Sequence, residues 1–315
     1  MDDTPSPLFP AWQDSDTRQW GHAELKLAHR WHEHPLFSRE ALAGLIERYP
    51  AEHYALVRTS LQGEAARQWR EGDIGDFNGQ EVIEAIAQGR MWLNLRNVHL
   101  VDARYARLLD AAYAELAERV PGFEPSALRM GILISSPGIH VHYHADLPGQ
   151  ALWQVAGRKR VYLYPARPPF LPPAALEDIA LTGVEVKMPY DPAFDQQARV
   201  FELAPGAMLH WPLNAPHRVE NHDCLNVSVT TEHWTPGIRR SQMVTMANGI
   251  LRRHLKLHPS GRELQGPGFW MKAALQAAWR RSPWSRRVQR LQRPIDFRLD
   301  RTAAGLMRDI PPFYR

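Results

Sequence analysis

The chain of 315 residues, 44% hydrophobic and 23% charged, has the composition of an ordinary globular protein, long enough for one large domain or two smaller ones. A single cysteine, Cys224, excludes an internal disulfide framework and points to a reducing compartment; the thiol itself, in the apolar-flanked run 224–227, is expected to be buried and inert. The formal charge of +4 conceals a split, because a basic tail after residue 237 leaves everything before it net acidic.

The first twelve residues are acidic and proline-rich and lack the basic start and apolar core of a signal peptide, and no stretch is apolar for the length a bilayer demands. A soluble, cytoplasmic protein is expected, with residues 1–22 as a flexible segment. Residues 24–28 alternate as a strand. Ser38 is placed to cap a helix running to Arg48, with Glu40 in its first turn. Residues 53–58 and 91–95 read as strands, and 79–88 and 102–119 as helices by their apolar spacing. No glycine-rich phosphate loop follows any of these strands, so the mixture does not indicate a nucleotide-binding fold. Residues 23–125 are read instead as an α/β decoration on the first half of a barrel whose core is 126–236. Within that core, 127–135 is an apolar strand leading to the turn 136–138. The proline-rich segment 165–199 reads as a long loop at the barrel mouth, with a short helix near 173–180.

Two stretches inside the core carry chemistry. The first contains His144-Ala145-Asp146. In a strand, residues i and i+2 point to one face, so His144 and Asp146 reach the same point inside a barrel. In the second, 200–203 alternates, Pro205-Gly206 turns, 207–211 reads as a strand, Pro212 ends it because proline cannot donate to a ladder, and His217 follows. Two histidines and one carboxylate are the ligands of the facial triad, which holds Fe(II) and leaves positions open for a co-substrate and O₂. His140 and His142 share parity with His144 and Asp146, so periodicity alone leaves His140 and His142 as alternative ligands. Among fifteen histidines an HxD pair carries little weight by itself. The weight comes from its joint occurrence with Lys159, fifteen residues after His144, and with the segment Pro205-Gly206, Pro212, His217.

These residues resemble the JmjC-like (Cupin_8-type) branch of the cupin superfamily, the Fe(II)- and 2-oxoglutarate-dependent oxygenases that include the asparaginyl hydroxylase of the hypoxia response. The match is ungapped from His144 to Pro165, through Gly157 and Lys159, and resumes at Gly206, Pro212, His217 and Asn221; it departs at Asn214, where cupins have glycine. The resemblance implies a mainly β fold, a double-stranded β-helix or jelly roll with helical N-terminal decorations and a C-terminal helical extension. It implies Fe(II) on His144, Asp146 and His217, and 2-oxoglutarate with its far carboxylate on Lys159. The lysine offset favours His144 and Asp146 over His140 and His142 as ligands. Gln150, at the position of an amide in the hypoxia hydroxylase, and Asn226 would complete the 2-oxoglutarate site. His142, Trp153 and Trp211 are candidates for residues behind the ligands or on the substrate side. The implied reaction is hydroxylation of an unidentified substrate, or demethylation if an N-methyl carbon is struck. The alternative is a non-catalytic cupin-like module that binds a partner.

Residues 237–315 form a basic extension, with helical spacing over 243–257 and 269–291 and a Ser-Pro break at 282–283. Three readings stand: a helical appendage that packs on the barrel or on a second subunit as a homodimer, a surface for anionic membrane, and a surface for nucleic acid.

Overall fold

A computed structural model describes residues 6–59, 69–183, 188–283, 285 and 293–315. The N-terminal part contributes α1 (Asp14–Gln19), β1 (Leu25–Ala28), α2 (Arg39–Glu47), β2 (Tyr54–Thr59), β3 (Trp69–Asp73), α3 (Gly79–Gln88), β4 (Met91–Leu95), α4 (Val98–Val101) and α5 (Ala103–Arg119). Helix α2 starts where Ser38 accepts a hydrogen bond from the Ala41 amide (3.2 Å), and it buries Leu42, Leu45 and Ile46 at helical spacing. Helix α3 starts at a reciprocal capping box between Asn78 and Glu81 and buries Val82, Ile83 and Ile86. With Leu109, Tyr113 and Leu116 of α5, these side chains cover one face of a large sheet.

The barrel strands follow: β5 (Ser126–Ser135), β6 (His140–His144), β7 (Gly149–Ala156) and β8 (Lys159–Leu163), then α6 (Pro173–Thr182), then β9 (Arg199–Leu203), β10 (Ala207–His210), β11 (His217–Asn221) and β12 (Asn226–Trp234). Strands β5, β7, β10 and β12 lie in the large sheet; β6, β8, β9 and β11 form a smaller one, in the order β6-β11-β8-β9. Repeated crossing between two facing antiparallel sheets is the double-stranded β-helix. Leu152, Val161, Leu163, Leu203, Leu209 and Val219 pack between the sheets. Strand β7 is buried almost throughout because helices cover its other face. The β7–β8 turn needs Gly157: its φ is +76°, and a Cβ there would lie 2.2 Å from the Leu225 carbonyl oxygen.

The expectation of a mainly β chain is amended by the helices, which cover the large sheet, and by strands outside the barrel that widen that sheet to ten. Three further expectations change. Residues 6–22 are not a loose segment: Phe9 is buried against Trp153, and Trp20 stacks on His210 at 3.9 Å. The described part of 165–199 packs on the outer face of the small sheet rather than at the mouth, with Phe170, Leu176 and Ile179 against Tyr143 and Tyr164. The C-terminal extension is not purely helical. After α7 (Pro236–Leu255) and α8 (Gly266–Arg281) it ends in β13 (Ile295–Leu299) and β14 (Met307–Phe313). Strand β13 pairs parallel with β3, and the Phe297 ring fills the space that Gly72 leaves open. The rest of the second expected helix, residues 284 and 286–291, lies outside the described residues.

Much of the tail's positive charge is spent inside the fold. The buried carboxylate of Glu177 on α6 takes Arg252 at 2.6 Å and Arg262 at 3.5 Å; Arg298 and Arg315 pair with Asp73, and Arg301 with Asp76 and Glu81. Among the described residues no helix is long and apolar enough to cross a membrane.

Candidate metal centre

Strands β6 and β11 lie side by side with His144 directly opposite His217, their rings 4.1 Å apart. The register then slips. Val141 faces Val219, so three steps on β6 span two on β11, a bulge that reverses side-chain parity between the two pairs. His144 and His217 therefore turn inward, while His140 turns outward to Glu220 at 3.8 Å. The shared parity expected over 140–146 does not hold, and His140 is away from the centre. Asp146 lies just past the end of β6, with a carboxylate oxygen 3.4 Å from His217 Nε2. One ligand atom from each of His144, Asp146 and His217 lies within 4.8 Å of the others.

Both imidazoles are oriented by backbone two residues earlier. His144 Nδ1 donates to the His142 carbonyl at 2.7 Å, and His217 Nδ1 donates to the Ala215 carbonyl at 3.1 Å. Each ring then presents Nε2 as a lone pair to the centre, the arrangement that a metal-bound histidine requires. Burial, and then His144, hold the His217 imidazole well below its usual range; burial pushes the Asp146 carboxyl up, against a smaller opposing pull from His144. Two imidazoles and a buried carboxylate converging on one point make a site that a divalent cation completes, and the mixed nitrogen and oxygen donors suit a first-row transition metal.

The strand carrying His217 is braced from outside. Arg218 stacks 3.4 Å over the Tyr162 ring, donates to Tyr164 Oη at 2.9 Å and Asp195 at 2.5 Å, and pairs with Glu220. Trp211, expected near the ligands, packs 4.7 Å from the His217 ring. His142 contributes its carbonyl to His144. Trp153 does not belong to the site: it is fully buried on the opposite face of β7, with its indole N–H donated to Thr231. Asn226 is spent as well, accepting from Gln154 at 2.8 Å and donating to the Cys224 carbonyl at 2.9 Å.

Lys159 is 1% exposed, and no ion pair or side-chain hydrogen bond reaches it among the described residues. It shares the inward face of β8 with Val161 and Leu163; Leu163 is the cross-strand partner of His217, four residues and about 13 Å along the strand. Burial pushes the ammonium down to about 7, against a weak opposing effect of Cys224. Cys224 itself is half-buried, its sulfur accepting from the Arg158 amide at 3.2 Å. The Gln150 side chain has no hydrogen bond among the described residues, and it lies opposite Glu232 in the β7–β12 register. Glu232 was not singled out by the sequence. Burial, and then the Asp146 charge, raise it to about 7, against a smaller opposing pull from Arg129, its ion-pair partner at 3.8 Å. The even-numbered parity of Glu232 with Asn226 along β12 was the available signal. In the sequence Asn214 is a departure from the cupin glycine at a residue type that also tolerates left-handed φ. It occupies the left-handed region at φ +61° and donates its amide to the Asp146 carbonyl at 2.5 Å.

No described protein family and no curated protein matches this sequence. Solved structures do match. The X-ray structure of E. coli ycfD is 18% identical over 87% of this chain and 69% of that one, with a TM-score of 0.50. A structure of Escherichia coli ribosomal oxygenase YcfD is 16% identical over 95% and 76%, at 0.49. Its complex with cobalt and 2-oxoglutarate is 16% identical over 91% and 73%, at 0.47. At such identity the first of these likenesses shows a shared fold. The finer resemblance to the asparaginyl hydroxylase receives no support from these neighbours.

Proposed function

We propose that this chain is an Fe(II)- and 2-oxoglutarate-dependent oxygenase, a hydroxylase of an unidentified substrate. The observation that carries the reading is Lys159, a buried cation that has no partner among the described residues, on the barrel wall that also holds His217. A buried ammonium is costly unless an anion meets it, and a dicarboxylate reaching from the metal to Lys159 supplies one.

His144, Asp146 and His217 would hold the metal on one face and leave the opposite side open. Loaded with 2-oxoglutarate and O₂, such a centre supplies oxidative decarboxylation to succinate and CO₂, coupled to oxidation of a C–H bond. The chain's own residues bind and orient. The carbonyls of His142 and Ala215 fix both imidazoles, and Lys159 fixes the far carboxylate. Gln150, whose amide has no hydrogen bond among the described residues, would meet the metal-side carboxylate. Leu152, Val161 and Leu209 keep water from the wall between them.

The test is product formation. Protein reconstituted anaerobically with Fe(II) and then given 2-oxoglutarate and O₂ should release succinate and CO₂ in equal amounts. Bound Fe(II) without succinate would refute the oxygenase and leave the partner-binding module. For a partner, the exposed surface offers Arg239, Arg240, Arg280 and Arg281, which make no ion pair among the described residues, and the apolar side chains of Trp270 and Met271. The arginines are where anionic lipid or nucleic acid would be met, and Trp270 and Met271 are where a second subunit would be.

A further inference from the structure

The three ligands are not held alike. His144 and His217 sit in paired strands, and each ring is tied to a carbonyl of its own chain segment. Asp146, the only anionic ligand, hangs beyond the last residue of β6, in a stretch that pairs with no strand before β7 begins. Among the described residues a single hydrogen bond holds its backbone: the Asn214 side-chain amide donating to the Asp146 carbonyl at 2.5 Å, across 68 positions of sequence.

Asn214 is also built into the approach to His217. The Ala215 amide closes a turn on the Pro212 carbonyl at 3.1 Å, and Asn214 sits inside it at φ +61°. The next carbonyl, Ala215, takes the proton of His217 Nδ1. One turn therefore fixes the His217 ring through its backbone and the Asp146 backbone through the Asn214 amide. Glycine would serve the left-handed backbone at least as well, but it has no amide to donate; asparagine tolerates this region and adds the donor.

We infer that Asn214 is a positioning residue for the metal centre, setting the place of the Asp146 carboxylate through its hydrogen bond to the Asp146 carbonyl. The inference rests on the reading of His144, Asp146 and His217 as a metal site. It separates two jobs, turn former and ligand anchor, that glycine and asparagine divide differently.

The experiment compares the full-length wild type with Asn214→Gly and Asn214→Asp, titrated with Mn(II) and Co(II) under anaerobic conditions. Each variant's thermal melt is recorded without metal. Asn214→Gly keeps the backbone conformation and removes only the donor. Loss of an outer hydrogen bond to a ligand costs about 10- to 100-fold in metal affinity. Weakening in that range is expected for Asn214→Gly, with an unshifted metal-free melt and an altered Co(II) visible spectrum. Asn214→Asp, which also tolerates the left-handed turn but sets an acceptor against the Asp146 carbonyl, should weaken binding at least as much. Wild-type affinity and an unchanged Co(II) spectrum in Asn214→Gly would overturn the inference and leave Asn214 a turn former. A wild type that binds neither ion would overturn the metal reading, and the inference with it.

Discussion

Replacing Lys159 with methionine should make the metal-free protein more stable and nearly abolish its affinity for a dicarboxylate. The side chain is 1% exposed and has no partner among the described residues, and burial lowers its pKa from 10.5 to about 7. That interval corresponds to on the order of 5 kcal/mol against the charged form, of which relaxation and water entry leave an expected gain of about 2–4 kcal/mol in Lys159→Met. The unfolded chain keeps this proton up to about 10.5, whereas the fold releases it near 7. Between those pH values the unfolded state binds more protons, so wild-type stability rises with pH; at and below pH 7 the fold carries the whole cost. The gain in Lys159→Met should therefore be largest at pH 7 and below, and vanish toward pH 10.5. Urea unfolding of both metal-free proteins from pH 6 to 10 measures this. The same variant, loaded with Mn(II), should bind N-oxalylglycine about 30- to 1000-fold more weakly, since it loses a buried charge-assisted contact of about 2–4 kcal/mol. A Lys159→Met protein that is less stable than wild type at pH 7, or that binds the analogue unchanged, would refute the reasoning.

Asp146→Ala should lose Fe(II) binding while His140→Ala retains it, because His140 faces Glu220 outside the barrel; equilibrium dialysis with the opposite pattern would reverse the ligand assignment. Acid should destabilise the fold early: burial lowers His29 and His210 to about 4 and His233 to about 3, so below pH 6.5 the unfolded chain takes up protons that the fold refuses. The slope reaches about 4 kcal/mol per pH unit near pH 5 if all three contribute. Unfolding free energies equal at pH 7 and pH 5 would contradict it. Arg252→Met should cost about 3 kcal/mol and loosen α7 from α6, because it leaves the buried Glu177 carboxylate with Arg262 alone; an unshifted thermal melt would show that this pair does not hold the tail.

The sequence made the centre legible because its chemistry is local. The spacing of His144 and Asp146, the turn glycine Gly157 and the offset of Lys159 are all set within one short stretch, from the end of β6 through β7 to the start of β8, and His217 follows a proline-marked strand end. What it concealed depends on distant partners. The bulge that turns His140 away is one residue of register, decided across β6 and β11 and leaving no local mark. Type and position point to Asn226 and Trp153, yet their hydrogen bonds to Gln154 and Thr231 commit them elsewhere. In the tail, Ile295, Phe297 and Leu299 alternate as a strand should, but the arginines around them drew the reading toward a solvated helical appendage. Phe9 and Trp20 sit in an acidic, proline-rich stretch that resembles a loose terminus until the hydrophobic face they cover is known.

The most direct test of the central claim is a crystal structure of the protein soaked anaerobically with Mn(II) and N-oxalylglycine. The account predicts anomalous density between His144 Nε2, His217 Nε2 and the Asp146 carboxylate, with the analogue's far carboxylate on Lys159 Nζ. Metal bound elsewhere, or an analogue that leaves Lys159 unpaired, would contradict it.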